Sequence, residues 1–128
     1  LHDSRAVAFA DLWNRGRLDV IVANQNGKLL IYKNHGANEN QWIAFDLKGS
    51  EANKSAINAM VKLYWKNQEQ IQIVTGGIGF CSQNQRRLQY GLGKSGSADS
   101  VVILWPGGNK QVLMHPEVNL LHQIKEDI

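Results

Sequence analysis

The chain has 128 residues, which is enough for one ordinary domain with its own core. Hydrophobic residues make up 43% of it and charged residues 20%, a composition that excludes intrinsic disorder. The formal net charge is only +3, and the Lys and Arg residues are scattered, so we exclude a nucleic-acid-binding stripe. Every apolar run is much shorter than the ~20 residues that cross a bilayer, so no membrane span is expected.

The first part of the chain alternates short apolar runs with turn residues. Ala6–Ala10, Leu18–Ala23 and Leu29–Tyr32 are predicted to be strands. The segment Asn24–Gly27 predicts a tight hairpin turn between the second and third strands, because Asn and Gly accept positive φ. These strands form one β-meander, which is too small to be stable alone and is expected to need a partner surface.

Residues 41–128 repeat this alternation of strands and turns and show no helical periodicity. A four-residue loop, Lys66–Glu69, and a turn at Pro106–Gly108 are each expected to join the two strands of a hairpin. Several strands at this spacing predict an all-β sandwich or barrel. The strands predicted here are Trp42–Leu47, Val61–Trp65, Gln70–Val74, Val101–Trp105, Lys110–Met114 and Asn119–Ile124.

A glycine-rich stretch, residues 76–93, holds five glycines and lacks the third glycine and the following helix of a dinucleotide fingerprint. We interpret the stretch as architectural. Gly76, Gly77 and Gly79 would shape a bulged corner, while Gly91 and Gly93 would allow close packing. The alternative is a ligand-binding loop. The candidate ligand-binding residues are Trp42, Phe80, Ser82, Gln83 and Arg87.

The loop from Asp11 to Asp19 has the frame of a β-hairpin calcium loop. Calcium needs six to eight oxygen ligands, yet Trp13 and Arg15 occupy positions where carboxylate or amide oxygens belong. A degenerate calcium site at Asp11 and Asp19 is therefore one hypothesis. The other is that a guanidinium, from Arg15 or Arg17, replaces the cation and bridges the two acids.

The residue types that catalysis uses do not form a recognisable motif. The four histidines show no spacing that would place two of them on one metal ion, and no Gly-x-Ser-x-Gly elbow is present. Cys81 is the only cysteine, so the chain forms neither an internal disulfide nor a cysteine-based metal site. We therefore predict a protein that is not an enzyme and that needs no cofactor, with calcium as the one ion to test.

Two groups of motifs resemble known families. Ala8–Asp11, Gly16–Val22 and Leu30–Asn34 together resemble one FG-GAP/VCBS repeat, the integrin-type β-propeller blade. From Gln41 onward the chain resembles the ASPIC/UnbV domain, and the order of the two parts is also the order found in that family. The motifs that carry the second resemblance are Asn53–Val61, Gly76–Gln83, Leu88–Gly93, Trp105–Gly108 and Gln111–Leu113.

The resemblance implies two domains: a partial FG-GAP/VCBS repeat at residues 1–38 and an ASPIC/UnbV-like β domain at residues 39–128. The implied fold is all-β, with a three-stranded, propeller-blade-like meander packed on an antiparallel, sandwich- or barrel-like domain. One blade does not make a propeller, so the chain is expected to be the C-terminal piece of a longer protein and to lack its signal peptide. Its expected location is extracellular, on the cell surface or periplasmic.

The function that this resemblance implies is a non-catalytic interaction or adhesion module with a protein or glycan ligand. Two alternatives stay open: an enzyme or enzyme-accessory domain that acts on glycans, and a purely structural cap of a β-propeller. An unpaired edge strand in the first part would also allow a homo-oligomer to form.

Overall fold

The computed structural model describes residues 3–36, 39–50 and 52–127, so the expected domain boundary at residue 38 lies outside the described residues. The fold is all-β, as predicted: ten strands and no helix are present in these three ranges. The strands are β1 Ser4–Ala10, β2 Asp19–Asn24, β3 Leu30–Tyr32, β4 Gln41–Lys48, β5 Met60–Trp65, β6 Gln68–Ile73, β7 Leu88–Gly93, β8 Ser100–Leu104, β9 Lys110–Met114 and β10 Leu121–Lys125.

Within the described ranges, no helix is long and apolar enough to cross a membrane.

The first three strands form the antiparallel meander that the sequence predicts, hereafter the small sheet. Val22 lies opposite Val7 on β1 and opposite Leu30 on β3, and the pairing of β1 with β2 is regular from Ala6 to Ala10, with a shift in register between Ser4 and Ala6. Asn26 has φ of 53° in the turn that joins β2 to β3. A short polar side chain tolerates this left-handed conformation, which is why the Asn-Gly pair identifies the turn from sequence.

The remaining strands form two larger sheets, in the orders β10-β4-β7 and β6-β5-β8-β9. The prediction of antiparallel pairing is correct for all but one pair, since β10 runs parallel to β4, with Leu121 opposite Ala44 and Ile124 opposite Leu47. The strands that the structure describes form no closed barrel. Buried side chains from both larger sheets belong to one apolar cluster, so this part of the chain is a sandwich.

The alternation predicted along β5 is confirmed, because Val61, Leu63 and Trp65 are buried and the residues between them are not. The predicted four-residue loop after β5 is wrong. Lys66 and Asn67 alone connect β5 to β6, with φ of 45° and 60°. Positive φ at both central residues is the signature of a two-residue type I′ hairpin, whose twist matches that of the strands.

Tyr90 links the two larger sheets at the centre of the core. It is fully buried on β7, and its hydroxyl donates a hydrogen bond to the carbonyl oxygen of Val61 on β5 at 2.9 Å. Its ring packs edge-on against Phe45 of β4, with ring centroids 5.8 Å apart. Burial raises the pKa of the Tyr90 phenol well above its usual range, because the phenolate would lose its hydration.

This pKa shift predicts a loss of stability in alkali. The unfolded chain ionises this phenol near its ordinary pKa of about 10, whereas the folded chain holds it neutral. The free energy of unfolding should therefore be unaffected by Tyr90 below about pH 10 and fall as the pH rises further. Tyr90→Phe should cost about 1 kcal/mol near neutral pH, through the lost hydrogen bond, and should make the alkaline decline shallower.

Urea denaturation of both chains at neutral and alkaline pH measures this difference. Tyr64→Phe is the matched control, because Tyr64 lies on the partly exposed face of β5. Identical alkaline declines for the wild type and Tyr90→Phe would show that the buried phenol does not carry the effect.

Candidate functional site

The small sheet meets the sandwich along the free edge of β1. Phe9 donates its backbone N–H to Oδ1 of Asn84 at 2.9 Å and accepts the N–H of Gln85 at 3.0 Å. The side-chain oxygen of Gln85 also accepts the N–H of Asp11 at 2.8 Å. The middle of the glycine-rich stretch thus pairs with β1 much as a further strand would. The contact is polar, and the apolar core cluster of the sandwich includes no small-sheet residue among those described.

Two further contacts hold the loop between β1 and β2 against the sandwich. Arg87 donates from Nη1 to Oδ1 of Asn14 at 2.7 Å. Gly16, with φ of 75°, lies directly on the indole of Trp42, so that a Cβ built on this glycine would overlap the ring. Only glycine combines this backbone conformation with so close an approach. The loop geometry and the position of Trp42 therefore depend on each other.

Asp11 and Asp19, the two acids of the predicted calcium loop, are both buried. Asp11 accepts hydrogen bonds from the backbone amides of Arg15 at 2.9 Å and Gly16 at 2.7 Å. Backbone N–H groups are good partners for a buried carboxylate, because they supply positive charge without the entropy of a long side chain. These two hydrogen bonds hold residues 15 and 16 close to Asp11 and so fix the turn of the loop.

Asp19 is fully buried and has a cationic partner. Its Oδ1 accepts the guanidinium Nη2 of Arg15 at 2.7 Å and the backbone N–H of Asn34 at 2.8 Å, and its Oδ2 accepts the N–H of Leu12 at 3.3 Å. Burial alone would raise the pKa of this carboxyl, but the hydrogen bonds from Asn34, Arg15 and Leu12 outweigh burial and lower it. Asp19 is therefore held as a carboxylate.

Two arginines, Arg15 and Arg17, could supply the predicted guanidinium, and the structure distinguishes between them. Arg15, and not Arg17, contacts the acids, but its guanidinium does not bridge them as predicted: it binds Asp19 alone, while the backbone amide of Arg15 binds Asp11. The guanidinium carbon also lies 5.1 Å from the ring centroid of Trp13. The two residues at unsuitable ligand positions thus pack on each other. Among the described residues, no group of three or more His, Cys, Asp or Glu side chains could hold a metal ion.

We expect calcium to leave the melting temperature of the wild-type chain unchanged, because the guanidinium already neutralises Asp19. Arg15→Asp should be less stable in chelator than the wild type, since three carboxylates then share one loop. Calcium at a hundredfold excess over its Kd should raise the free energy of unfolding of Arg15→Asp by about 2–3 kcal/mol. Thermal melts with calcium and with chelator test this, with Arg15→Asn as the control that removes the cation without adding an acid. Calcium stabilisation of the wild type would refute the replacement of the ion by Arg15.

An open cavity of about 570 Å³ lies where this loop, the start of β4 and the strand β7 meet. Its wall includes the loop residues Arg15, Gly16 and Arg17 and the β4 residue Trp42. The rest of the wall is mainly polar, and its amide side chains belong to Asn34, Asn40, Gln41 and Asn119.

The cavity exists because of a missing side chain. Trp42 on β4 and Gly91 on β7 are direct cross-strand partners, so their side-chain positions share one face of the sheet. A Cβ built on Gly91 would meet nothing within 4 Å, and the same is true of Gly93. The interpretation that these two glycines allow close packing is therefore wrong. Gly91 instead leaves open space beside the Trp42 indole, whose N–H makes no hydrogen bond with any described residue.

Residues 49–128 match the family model described as ASPIC and UnbV, which covers more than half of the chain. The chain belongs to the ASPIC and UnbV family. No curated protein matches the sequence. The ASPIC/UnbV match begins just after β4, so it contributes Gly91 and Asn119 to the cavity, while Trp42 and the loop precede the matched residues.

The ligand-binding candidates predicted from the sequence do not come together in this ASPIC/UnbV chain. Trp42 lines the cavity described above, whereas Arg87 lines a second cavity of about 380 Å³ beside Phe9 and Leu18. Three other candidates line neither cavity. Phe80 is 78% exposed at the tip of the glycine-rich stretch, Gln83 is exposed, and Ser82 forms an isolated bridge with Gly79.

Sequence reasoning missed the amides and the role of Arg17. Arg17 was considered only as a partner for the loop acids, and it contacts neither. The local signal was the Asn40-Gln41-Trp42 run, which places two amides and an aromatic side by side at the start of a strand. The contribution of Asn119 could not be found locally, because it reaches the site through a hydrogen bond from its N–H to the carbonyl of Trp42 at 2.6 Å.

Proposed function

We propose that this chain is a non-catalytic interaction module that binds a protein or glycan ligand at the cavity between the small sheet and the ASPIC/UnbV sandwich. The observation that supports the proposal is the composition of the cavity wall: one tryptophan, two arginines and several amides around open space. These groups bind by hydrogen bonding and stacking, and Trp and Arg are enriched at the energetic centres of interfaces. Its described wall residues include no acid or histidine to exchange a proton near neutral pH.

We also propose that the small sheet is an FG-GAP/VCBS repeat and that the protein works outside the cell, on the cell surface or in the periplasm. The support for a propeller blade is that both faces of the small sheet are apolar. Val7, Phe9 and Tyr32 share one face, and Ile21 and Ile31 share the other. A sheet that is apolar on both sides needs a layer on each side, which stacked propeller blades provide.

A binding screen of the folded chain on immobilised glycans and matrix proteins, with calcium and with chelator, tests the proposed function. We expect a specific hit in both conditions, because Arg15 takes the place of the ion. The hit should be lost in Trp42→Ala and kept in Trp13→Ala, since Trp13 does not line the cavity. Binding that depends equally on both tryptophans would not come from this cavity.

A structural cap of a β-propeller is the second candidate, and the exposure of the small sheet favours it. Ile31 is 50% exposed and Tyr32 is 58% exposed in this chain. A neighbouring propeller blade that stacked on the small sheet would cover these large apolar side chains. A cap has no ligand of its own. A folded sample that binds nothing on the screen in either condition would therefore favour the cap over the interaction module.

A further inference from the structure

Arg17 lies in the cavity wall and has no partner among the residues that the structure describes. It is half-buried, and it makes no hydrogen bond or ion pair with any residue that the structure describes. Arg15, by contrast, is held by Asp19 and by the carbonyl oxygen of Asn34 at 3.0 Å. A guanidinium carries five N–H donors in a planar fork that fits an oxyanion. Among the residues that the structure describes, the Arg17 side chain therefore gives the cavity one positive charge without a counter-ion and a set of free donors.

The amides give the cavity both donors and acceptors. Asn119 donates from Nδ2 to Oε1 of Gln41, and its Oδ1 accepts the backbone N–H of Trp42 at 3.2 Å, so both side chains are fixed against β4. Asn34 is fixed as well, since its Oδ1 accepts the N–H of Gly36 at 2.9 Å. An amide pairs well with a hydroxyl, because each group can donate and accept. The indole N–H of Trp42, which no described residue accepts, adds a further donor.

We infer that the cavity ligand is an acidic saccharide, with its carboxylate or sulfate group on Arg17 and its hydroxyls on the amides and the Trp42 indole N–H. This inference rests on the proposed function and names the ligand class of the same site. The volume of about 570 Å³ lies within the roughly 300–1,000 Å³ of small-molecule sites. Hydroxyl groups around a ring match amides on several sides of the cavity, and one acidic group matches the one unpaired guanidinium.

The charge and shape of the site disfavour the other polyanions. Nucleic acids and phosphopeptides are held by clusters of Arg and Lys, and their affinity grows with the number of phosphates neutralised. Here Asp19 already neutralises Arg15, so Arg17 supplies the only net charge among the described wall residues.

NMR titration of the isotope-labelled chain tests the inference with three probes of equal length: a galacturonic acid trimer, a sulfated galactose trimer and a neutral galactose trimer. We expect one or both acidic trimers to shift the Trp42 indole N–H resonance, with the indole signals of Trp13, Trp65 and Trp105 as internal controls. The neutral trimer should bind about tenfold more weakly or less, as expected for loss of one charge-assisted contact. Whichever acidic trimer binds more tightly identifies the acidic group.

Two variants connect the binding to the cavity. Arg17→Gln should reduce the affinity for the acidic trimer to that for the neutral one. Gly91→Leu should abolish binding, because a Cβ at this position meets nothing within 4 Å and the rest of the side chain would occupy the space beside Trp42. Gly77→Leu is the matched control, since a Cβ there also meets open space and the residue lies outside the cavity wall. The amide spectrum of each variant shows whether it is folded.

Failure of this inference is distinguishable from failure of the proposed function. If neither acidic trimer shifts Trp42, or if binding survives both Arg17→Gln and Gly91→Leu, the acidic-saccharide site is refuted. A protein or neutral-glycan hit on the screen that Gly91→Leu abolishes would then still support an interaction module at this cavity. Silence in both experiments from folded protein would refute the two together.

Discussion

Phe45→Ala is expected to lower the free energy of unfolding by about 3–5 kcal/mol, a large part of the roughly 5–15 kcal/mol of a typical domain. Phe45 is fully buried on β4, the central strand of the mixed sheet. Its ring packs against Tyr90 and stacks on His122, with centroids 5.8 and 5.5 Å apart. Alanine removes both contacts and leaves a cavity between the two sheets, because the surrounding strands relax only partly.

Equilibrium denaturation in urea measures this loss, and the chain supplies a matched control. Phe80→Ala makes the same substitution at a side chain that is 78% exposed, and its effect should stay within about 0.5 kcal/mol. Equal losses in the two variants would mean that the packing of Phe45 does not carry the stability of the sandwich.

Gly16→Ala is expected to loosen the attachment of the small sheet to the sandwich while leaving the core folded. The residue has φ of 75°, which costs a non-glycine residue roughly 1–2 kcal/mol, and its new Cβ would overlap the Trp42 ring. Either the indole or the loop must move, so the contact between them is lost. The described core cluster contains no small-sheet residue, so the sandwich does not depend on this contact.

Amide hydrogen exchange, resolved by residue, distinguishes local from global opening. In Gly16→Ala the amides of β1 to β3 should exchange at least about tenfold faster, while those of β5 and β8 keep their protection. Gly108→Ala separates the cost of a positive φ from the overlap with Trp42, because Gly108 has φ of 96° but nothing near its Cβ position. If both variants lose the same stability and small-sheet exchange is unchanged, overlap with Trp42 has no role.

Local patterns predicted most of the strands, because the features that specify them lie within a few residues. Alternation along β5 identified its buried face, and Asn and Gly identified the turn after β2. The strand β7 was missed because Gly91 and Gly93 concealed the alternation of Leu88, Tyr90 and Leu92. The type I′ turn after β5 was missed because Lys66 is an unusual residue for positive φ.

The candidate site was only partly accessible from the sequence, for a similar reason. The ion pair between Arg15 and Asp19 joins residues four apart in one loop, so charge and spacing alone suggested it. The cavity instead depends on the pairing of Trp42 with Gly91, which the order of strands in the mixed sheet determines. Strand order between distant segments leaves no local pattern. Trp42 could therefore be named as a candidate, while its neighbours could not.

The parallel pairing of β4 with β10 has a consequence for biosynthesis. β4 leaves the ribosome long before residues 121–125, its partner on one side, have been translated. Translation of residues 49–125 takes about 4–15 s at roughly 5–20 residues per second. During that interval at least one edge of this hydrophobic strand is unpaired, and both are unpaired until β7 has been translated. Chaperones bind such a surface, and it aggregates when synthesis is crowded. Completion of the sheet is thus a late step in the synthesis of each molecule, and its timing is set by the distance between the two strands along the message.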